Sequence, residues 1–308
     1  VGEDYYLAGT TMHSVPGLVV LHSKDLVNWE FSSYCFDRFD DSDDFNLRNG
    51  KEAYGQGIWA PAIRYHNGKF YIFSNINGHG LQVYISDSAK GPWTHHKVNG
   101  DIYDLSVLFD EDGKIYAVHK YGNVTVTELK PDLSGPVEGS SKVVIPEGNA
   151  MGEGHHVYKI NGMYYILSAD YSPMGRMQCA RSKSIWGPYE TCVISERESY
   201  GYAAGWSVGN MGIGRPLPED GFKFQNNKPN GLNLGCATIH QGGIVQAPDG
   251  KWWGVSMQDF NAVGRTVCLS PITWVDGWPY FGLEKNLGRS PRTWFKPNDA
   301  VKAPQAPY

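Results

Sequence analysis

Met151-Gly-Glu-Gly-His-His-Val-Tyr-Lys-Ile-Asn-Gly-Met-Tyr-Tyr-Ile-Leu167 is the stretch from which the fold can be read. A β-branched and aromatic run (Val157, Tyr158, Ile160) meets Asn161-Gly162, and a second run (Tyr164, Tyr165, Ile166, Leu167) leaves it. Asn-Gly between two such runs is the strongest short-range signal for a hairpin, because both residues tolerate the positive φ that a tight hairpin turn requires.

The unit recurs. Ala62 to Phe73 turns at Asn67-Gly68, Val107 to Val118 at Asp112-Gly113, and Gly243 to Val255 at Asp249-Gly250. A fifth copy, Val1-Gly-Glu-Asp-Tyr-Tyr-Leu-Ala8, reads as the turn and second strand of a hairpin whose first strand is absent. Behind the hairpins come a third strand and a second punctuation mark: Ser23-Lys-Asp-Leu-Val-Asn-Trp-Glu30, Ser86-Asp-Ser-Ala-Lys-Gly-Pro-Trp93, Arg181-Ser-Lys-Ser-Ile-Trp-Gly-Pro-Tyr189 and, more weakly, Lys130-Pro-Asp-Leu-Ser-Gly-Pro136. Short strands punctuated at a period of roughly 45 to 50 residues predict propeller blades, each of which buries its faces only against its neighbours. The expected fold is all-β, a five-bladed β-propeller over residues 1–295 lacking the first strand of blade one. Residues 296–308 read as a linker toward a following domain.

Composition fits one large domain: 41 % of the 308 residues are hydrophobic, enough for a sizeable core. Aromatics at 13 % suit strands packed face to face and a site that stacks on sugar rings. A net charge of −5 gives no electrostatic case for nucleic acid or an anionic membrane as partner. No apolar run approaches the roughly 20 residues that span a bilayer. Five scattered cysteines (Cys35, Cys179, Cys192, Cys236, Cys268) read as buried thiols rather than a disulfide framework. Two connections are long: Phe36 to Gln56, with five aspartates, and Ser195 to Thr238, rich in Gly and Asn. Such loops usually serve as lids or walls of a site. The acidic loop lacks EF-hand spacing and reads as solvated.

Nine residues before Gly162 is Glu153, nine before Gly113 is Asp104, nine before Gly68 is Trp59, and nine before Gly250 is Gln241, with His240 beside it. Equivalent positions of a propeller should converge at one mouth of its channel. Glu153 and Asp104 would then form a carboxylate pair, the equipment of glycoside hydrolysis, in which one acid protonates the leaving oxygen. Asp110, Glu111 and Asp112 sit at a hairpin tip, where turn geometry alone favours Asp.

Seven motifs, in this order and spacing over nearly the whole chain, resemble glycoside hydrolase family 43, most closely its β-xylosidase and α-L-arabinofuranosidase members. They are Ser-Lys-Asp-Leu-Val-Asn-Trp-Glu (23–30), Trp-Ala-Pro (59–61), Tyr-Asp-Leu-Ser-Val-Leu-Phe-Asp-Glu-Asp-Gly (103–113), Glu-Gly-His-His-Val-Tyr (153–158), Ile-His-Gln-Gly-Gly (239–243), Val-Gly-Arg (263–265) and Asp-Gly-Trp-Pro (276–279). The resemblance implies a propeller that removes non-reducing-end pentoses, with inversion, from xylo-oligosaccharides or arabinose-substituted oligosaccharides. Glu153 would be the general acid and Asp104 the carboxylate that holds it in place and, through its like charge, protonated. Trp59 would be a stacking wall, Arg265 and Gln241 would meet sugar hydroxyls, and His13 would be a rim contact. His240 would sit near a structural calcium ion, reached partly through water. A secreted or periplasmic location would go with such a substrate.

The resemblance also places the general base on the innermost strand of blade one, upstream of Val1, with no replacement in the chain, since Asp4 belongs to a turn. A non-catalytic carbohydrate-binding propeller is therefore the alternative. A kelch or WD propeller lacks its signatures here and gives no reason for carboxylates to share a channel.

Overall fold

The computed structural model describes residues 1–39, 42–149, 151–171, 174–195, 240–259 and 265–288. Five antiparallel sheets follow one another along the chain, each built only from consecutive strands. Sheet 1 is β1 (Tyr5–Gly9), β2 (Gly17–Ser23) and β3 (Trp29–Phe36). Sheet 2 is β4 (Ile58–His66), β5 (Lys69–Ile76), β6 (Gly80–Ser86) and β7 (Thr94–Val98). Sheet 3 is β8 (Ser106–Phe109), β9 (Ile115–His119), β10 (Val124–Leu129) and β11 (Lys142–Ile145). Sheet 4 is β12 (Glu153–Ile160), β13 (Met163–Tyr171), β14 (Met174–Ser182) and β15 (Glu190–Val193). Sheet 5 is β16 (His240–Gln246), β17 (Trp252–Asp259), β18 (Arg265–Val275) and β19 (Trp278–Phe281). The arrangement is a five-bladed β-propeller.

The hairpin tips come in two lengths. Asn67-Gly68 and Asn161-Gly162, all four at positive φ, join strands whose last pairs are His66 with Lys69 and Ile160 with Met163. Both are therefore two-residue tips. The Asp-Gly tips are one residue longer: Asp110 N–H bonds Lys114 O at 2.9 Å and Ala247 N–H bonds Lys251 O at 2.8 Å, leaving Glu111-Asp112-Gly113 and Pro248-Asp249-Gly250 in the loops. Only the glycine of each has positive φ, the pattern of a three-residue hairpin. In sheet 1, β1 follows a turn in which Asp4 N–H bonds Val1 O at 3.1 Å. The next turn is held by Ser23 Oγ, which accepts the N–H of Asp25 and of Leu26, as Ser86 and Ser182 accept from Ser88 and Ser184. By these marks β1, β2 and β3 match the second, third and fourth strands of the other sheets.

Alternation along each strand gives every sheet two apolar faces, and these meet in five clusters, one per seam. Leu18 and Val20 meet Ile58, Ile72 and Tyr84 between sheets 1 and 2. Phe73, Leu81 and Val83 meet Val107, Ala117 and Leu129 between 2 and 3, and Val118, Val124 and Val126 meet Val157 and Ile166 between 3 and 4. Leu167 and Met177 meet Ile244, Ile272 and Phe281 between 4 and 5. Tyr5 and Leu26 meet Ala247 and Trp253 between 5 and 1, which closes the ring.

Polar ties cross four of these seams. Trp93 Nε1–H bonds Ser33 Oγ, Asn99 N–H bonds Ser134 O, and Phe281 N–H bonds Ile194 O. Asp110 is 6 % exposed and accepts from Lys159 Nζ (2.7 Å) and Tyr164 Oη (2.6 Å), so it ties sheet 3 to sheet 4. Cys35, Cys179, Cys192 and Cys268 are unbridged, and only the first two are buried. Cys236, the connection 196–239 and the stretch 296–308 lie outside the described residues.

One close approach tests the packing. A Cβ on Gly254 would lie 2.4 Å from Phe281 Cε1 and 2.9 Å from Ile272 Cδ1. Gly254→Ala is expected to cost about 1–3 kcal/mol by overpacking, read as a lowered denaturant midpoint with an unchanged slope. An unchanged midpoint would show that the Phe281 ring can yield.

Candidate active site

Each inner strand enters with one extra residue. Register slips by one between Trp59 and Ala62, between Glu153 and His156, and between His240 and Gly243. In sheet 3 the same slip separates the Lys120 N–H to Tyr103 O bond from the Ser106–Val118 pair. The bulged residues Ala60, Asp104, Gly154 and Gln241 all have positive φ (30°, 51°, 67° and 49°). Each lies six residues before the last residue paired across its hairpin: His66, Asp110, Ile160 and Ala247.

This corrects the count from the turn glycines. Because the Asp-Gly tips are longer by one, that count aligns Glu153 with Asp104, whereas pairing aligns Glu153 with Tyr103, Trp59 and His240, and Asp104 with Gly154. The two carboxylates therefore occupy successive places, one just before its bulge and one at it. Bulges re-aim side chains, and this one sits at the start of each inner strand, on the side away from the hairpin tips.

The displacement brings the carboxylates together. Asp104 Oδ2 accepts the Gly154 N–H at 2.6 Å, next to Glu153 in sequence, while Asp104 N–H bonds Asn75 Oδ1 at 3.0 Å. Both oxygens of Glu153 are engaged: Gln241 Nε2 donates to Oε1 at 3.2 Å and Tyr103 Oη to Oε2 at 3.1 Å. Gly154 makes this possible, because a Cβ there would meet Gln241 Cγ at 2.6 Å. Burial, with the Glu153 charge adding to it, pushes Asp104 up to about 6 against the Gly154 hydrogen bond. A carboxyl group whose two oxygens are held in place beside a second carboxyl, at an open mouth, can deliver a proton to a ligand oxygen.

Tyr103 and Asn75 escaped the reading from sequence. The signal for Tyr103 was available: at equal hairpin lengths it shares Glu153's place. Trp59 holds that place in sheet 2, with its indole N–H buried and without a hydrogen-bond partner among the described residues. His13 stands on the connection from β1 to β2, exposed, where Nδ1 accepts the Gly55 N–H at 3.2 Å and the ring meets Tyr54 edge-on at 5.1 Å. That connection leaves β1 at the end opposite the hairpin tips, the side on which the inner strands enter. His240 opens β16 and Arg265 opens β18 on that side too, but their side chains lie outside the described residues. Asp4 belongs to a hairpin tip on the far side and is held by His22 (2.5 Å) and Lys24 (2.7 Å).

Deeper in the channel, Arg64 joins three inner strands. It donates to Val107 O (2.6 Å), Ile63 O (2.7 Å), Ser106 Oγ (2.6 Å) and Val157 O (3.4 Å). Burial, then the neighbouring Arg64 charge, lowers His156 to about 3, and burial lowers His155 to about 4, so both are neutral at pH 7. His155 Nε2–H donates to Lys120 O at 2.6 Å, and its Nδ1 accepts from Ser168 Oγ at 2.8 Å. In the acidic loop, Asp44 pairs with His79 (2.8 Å) and Asp43 with Arg48 (3.2 Å). A cavity of about 490 Å³ on sheet 3 and the connection that precedes it is lined by Asp101, His119, Lys120, Thr127 and others. None of Glu153, Asp104 or Gln241 enters its wall.

The profile of glycosyl hydrolases family 43 matches residues 1–201. A non-reducing end alpha-L-arabinofuranosidase of Bacteroides ovatus is 33 % identical over 300 residues, covering 92 % of this chain and 50 % of its own. A putative beta-xylosidase of Xylanibacter ruminicola is 30 % identical over 317 residues, covering 98 % and 52 %. The chain spans about half the length of these curated relatives. Among solved structures, a bifunctional GH43-CE protein of Bacteroides eggerthii aligns with a TM-score of 0.79 at 33 % identity, covering 97 % of this chain and 35 % of that one. A GH43 glycoside hydrolase engineered to show both endo-xylanase and exo-arabinofuranosidase activity aligns at 0.75 and 28 %, covering 100 % and 55 %.

The Asp104 shift makes a stability statement. With its pKa raised from 3.8 to about 6, the folded state binds more protons than the unfolded chain in that window, so stability falls as pH rises through it. The loss above pH 6 is on the order of 3 kcal/mol. Asp104→Asn keeps an acceptor for the Gly154 N–H and carries no charge. It should melt higher than the parent at pH 7.5, with the gap closing near pH 4. No gain at pH 7.5 would mean that Asp104 ionises without cost.

Proposed function

The chain belongs to glycosyl hydrolases family 43, and from that premise we propose an exo-acting, inverting glycosidase that releases xylose or arabinose from the non-reducing ends of hemicellulose oligosaccharides. The observation that carries this reading is the Glu153 carboxyl, held by Tyr103 and Gln241 one residue from the amide that binds Asp104. The names of the relatives, a non-reducing end alpha-L-arabinofuranosidase and a putative beta-xylosidase, supply the sugar class. A sugar-binding propeller without catalysis offers no use for a carboxyl fixed through both oxygens.

In this reading Glu153 gives its proton to the glycosidic oxygen as the bond from that oxygen to the anomeric carbon breaks. Asp104, through its charge and its hold on the Gly154 amide, sets the acid's place and electrostatics. Water attacks the opposite face of the sugar and loses its proton to a carboxylate base. Trp59 stacks on the sugar ring, His13 contacts the substrate at the rim, and Gln241 and Arg265 meet hydroxyls. A secreted or periplasmic location follows from a polymer-derived substrate.

A calcium ion in the channel belongs to the same reading, held through water and His240. The described channel residues do not themselves fit a directly bound ion. Calcium takes six to eight oxygen ligands, whereas the inner strands here carry the Arg64 cation and the neutral imidazoles of His155 and His156, and no cluster of three ligating side chains occurs among the described residues.

In the full-length protein, Glu153→Gln is expected to lower kcat/KM on xylobiose or its arabinofuranoside counterpart by roughly 100-fold or more. The first product seen by proton NMR should carry the inverted anomer. Full activity in the variant, or a retained anomer, would overturn the reading.

A further inference from the structure

We infer that Tyr103 is the positioning residue of the general acid, selecting Glu153 Oε2 as the oxygen that carries the proton to the leaving group. This rests on Glu153 being that acid. Tyr103 is held on both sides of the bulge: its carbonyl accepts the Lys120 N–H at 2.9 Å, and the next N–H, that of Asp104, bonds Asn75 Oδ1 at 3.0 Å. The phenol therefore comes from backbone anchored independently of the strand that carries Glu153.

The two oxygens of Glu153 face unlike partners. Oε1 takes an N–H from the Gln241 amide nitrogen, which can donate and cannot accept. A proton on Oε1 would weaken that contact, because a carboxyl hydroxyl is a poorer acceptor than the carbonyl or carboxylate oxygen, and its O–H would face a donor. Oε2 faces a phenol, which can do either. With the proton on Oε2, the carboxyl O–H donates to the phenol oxygen and both contacts survive. When a substrate binds, that proton passes to the glycosidic oxygen, the bond to the anomeric carbon breaks, and its electron pair stays on the departing oxygen. The phenol O–H then rotates to donate to the new carboxylate. Tyr103 gains and loses no proton over the cycle. Burial, then the charges of Glu153 and Asp104, pushes its own ionisation well upward, so it stays a phenol. It is 39 % exposed, which leaves the ring at the open mouth where a leaving group departs.

The test compares leaving groups. Protonation matters for a sugar or alkyl leaving group and hardly at all for 2,4-dinitrophenolate. In the full-length protein, Tyr103→Phe is expected to lower kcat on xylobiose by roughly 10- to 100-fold with little change in KM, and to change kcat on 2,4-dinitrophenyl β-xyloside by less than about 3-fold. The corresponding α-L-arabinofuranosides serve if arabinose is the sugar removed. Glu153→Gln is run beside it. Equal losses on both substrates in Tyr103→Phe, or no loss on either, would overturn the role of Tyr103 while Glu153→Gln keeps its leaving-group dependence. If Glu153→Gln shows no such dependence, it is the acid assignment itself that fails.

Discussion

One extra residue, at the same point of four inner strands, is the constraint on which the mouth of this propeller depends. Without it, alternation along β4, β8, β12 and β16 would continue unbroken from the hairpin tips. With it, each strand breaks register once, at a residue with positive φ. A left-handed backbone costs most side chains of order 1–3 kcal/mol. Four such positions in one ring are kept in place by the ladders and seams around them. Only at residue 154 do conformation and crowding both exclude a side chain, and it is there that the amide reaches Asp104 and the chain passes Gln241.

Below the mouth, the channel is set by polar bonds rather than by apolar packing. The Arg64 guanidinium fills its donors largely with backbone carbonyls of three neighbouring sheets, which binds the inner strands to one another where side-chain volume alone would leave them free to slide. A half-buried cation is costly unless hydrogen-bonded, and here the acceptors are carbonyls and a serine hydroxyl. The inner strands thus carry a fixed positive group and two neutral imidazoles along with the two acids.

Much of this was legible in the chain. The Asn-Gly hairpins, the period and the five sheets follow from alternation and turn chemistry, which are local. So does the structural reading of Asp110, though its burial under Lys159 and Tyr164 does not, since that needs the partner sheet. The misalignment of Glu153 with Asp104 came from treating Asp-Gly tips as equal in length to Asn-Gly tips. One residue of loop is invisible in a count from the glycine, yet it shifts every inner-strand position. Tyr103 was hidden by that slip and Asn75 by its place on a second strand. Arg64 was hidden because a charged residue inside a strand reads as exposed until the ring closes around it. The clash that makes Gly154 necessary involves Gln241, 87 positions away, which no local pattern reports.

The seam between sheets 5 and 1 differs in kind from the other four. Each sheet is made from one continuous stretch, so no strand of the first completes the last. Among the described residues Tyr5, Leu26, Ala247 and Trp253 form the smallest of the buried clusters. Parting any sheet within itself breaks a ladder; parting this seam exposes a few side chains. In the ring as described, the cheapest fluctuation is therefore a gap between its first and last sheets, and amide exchange is expected to begin along that gap and not at the hub.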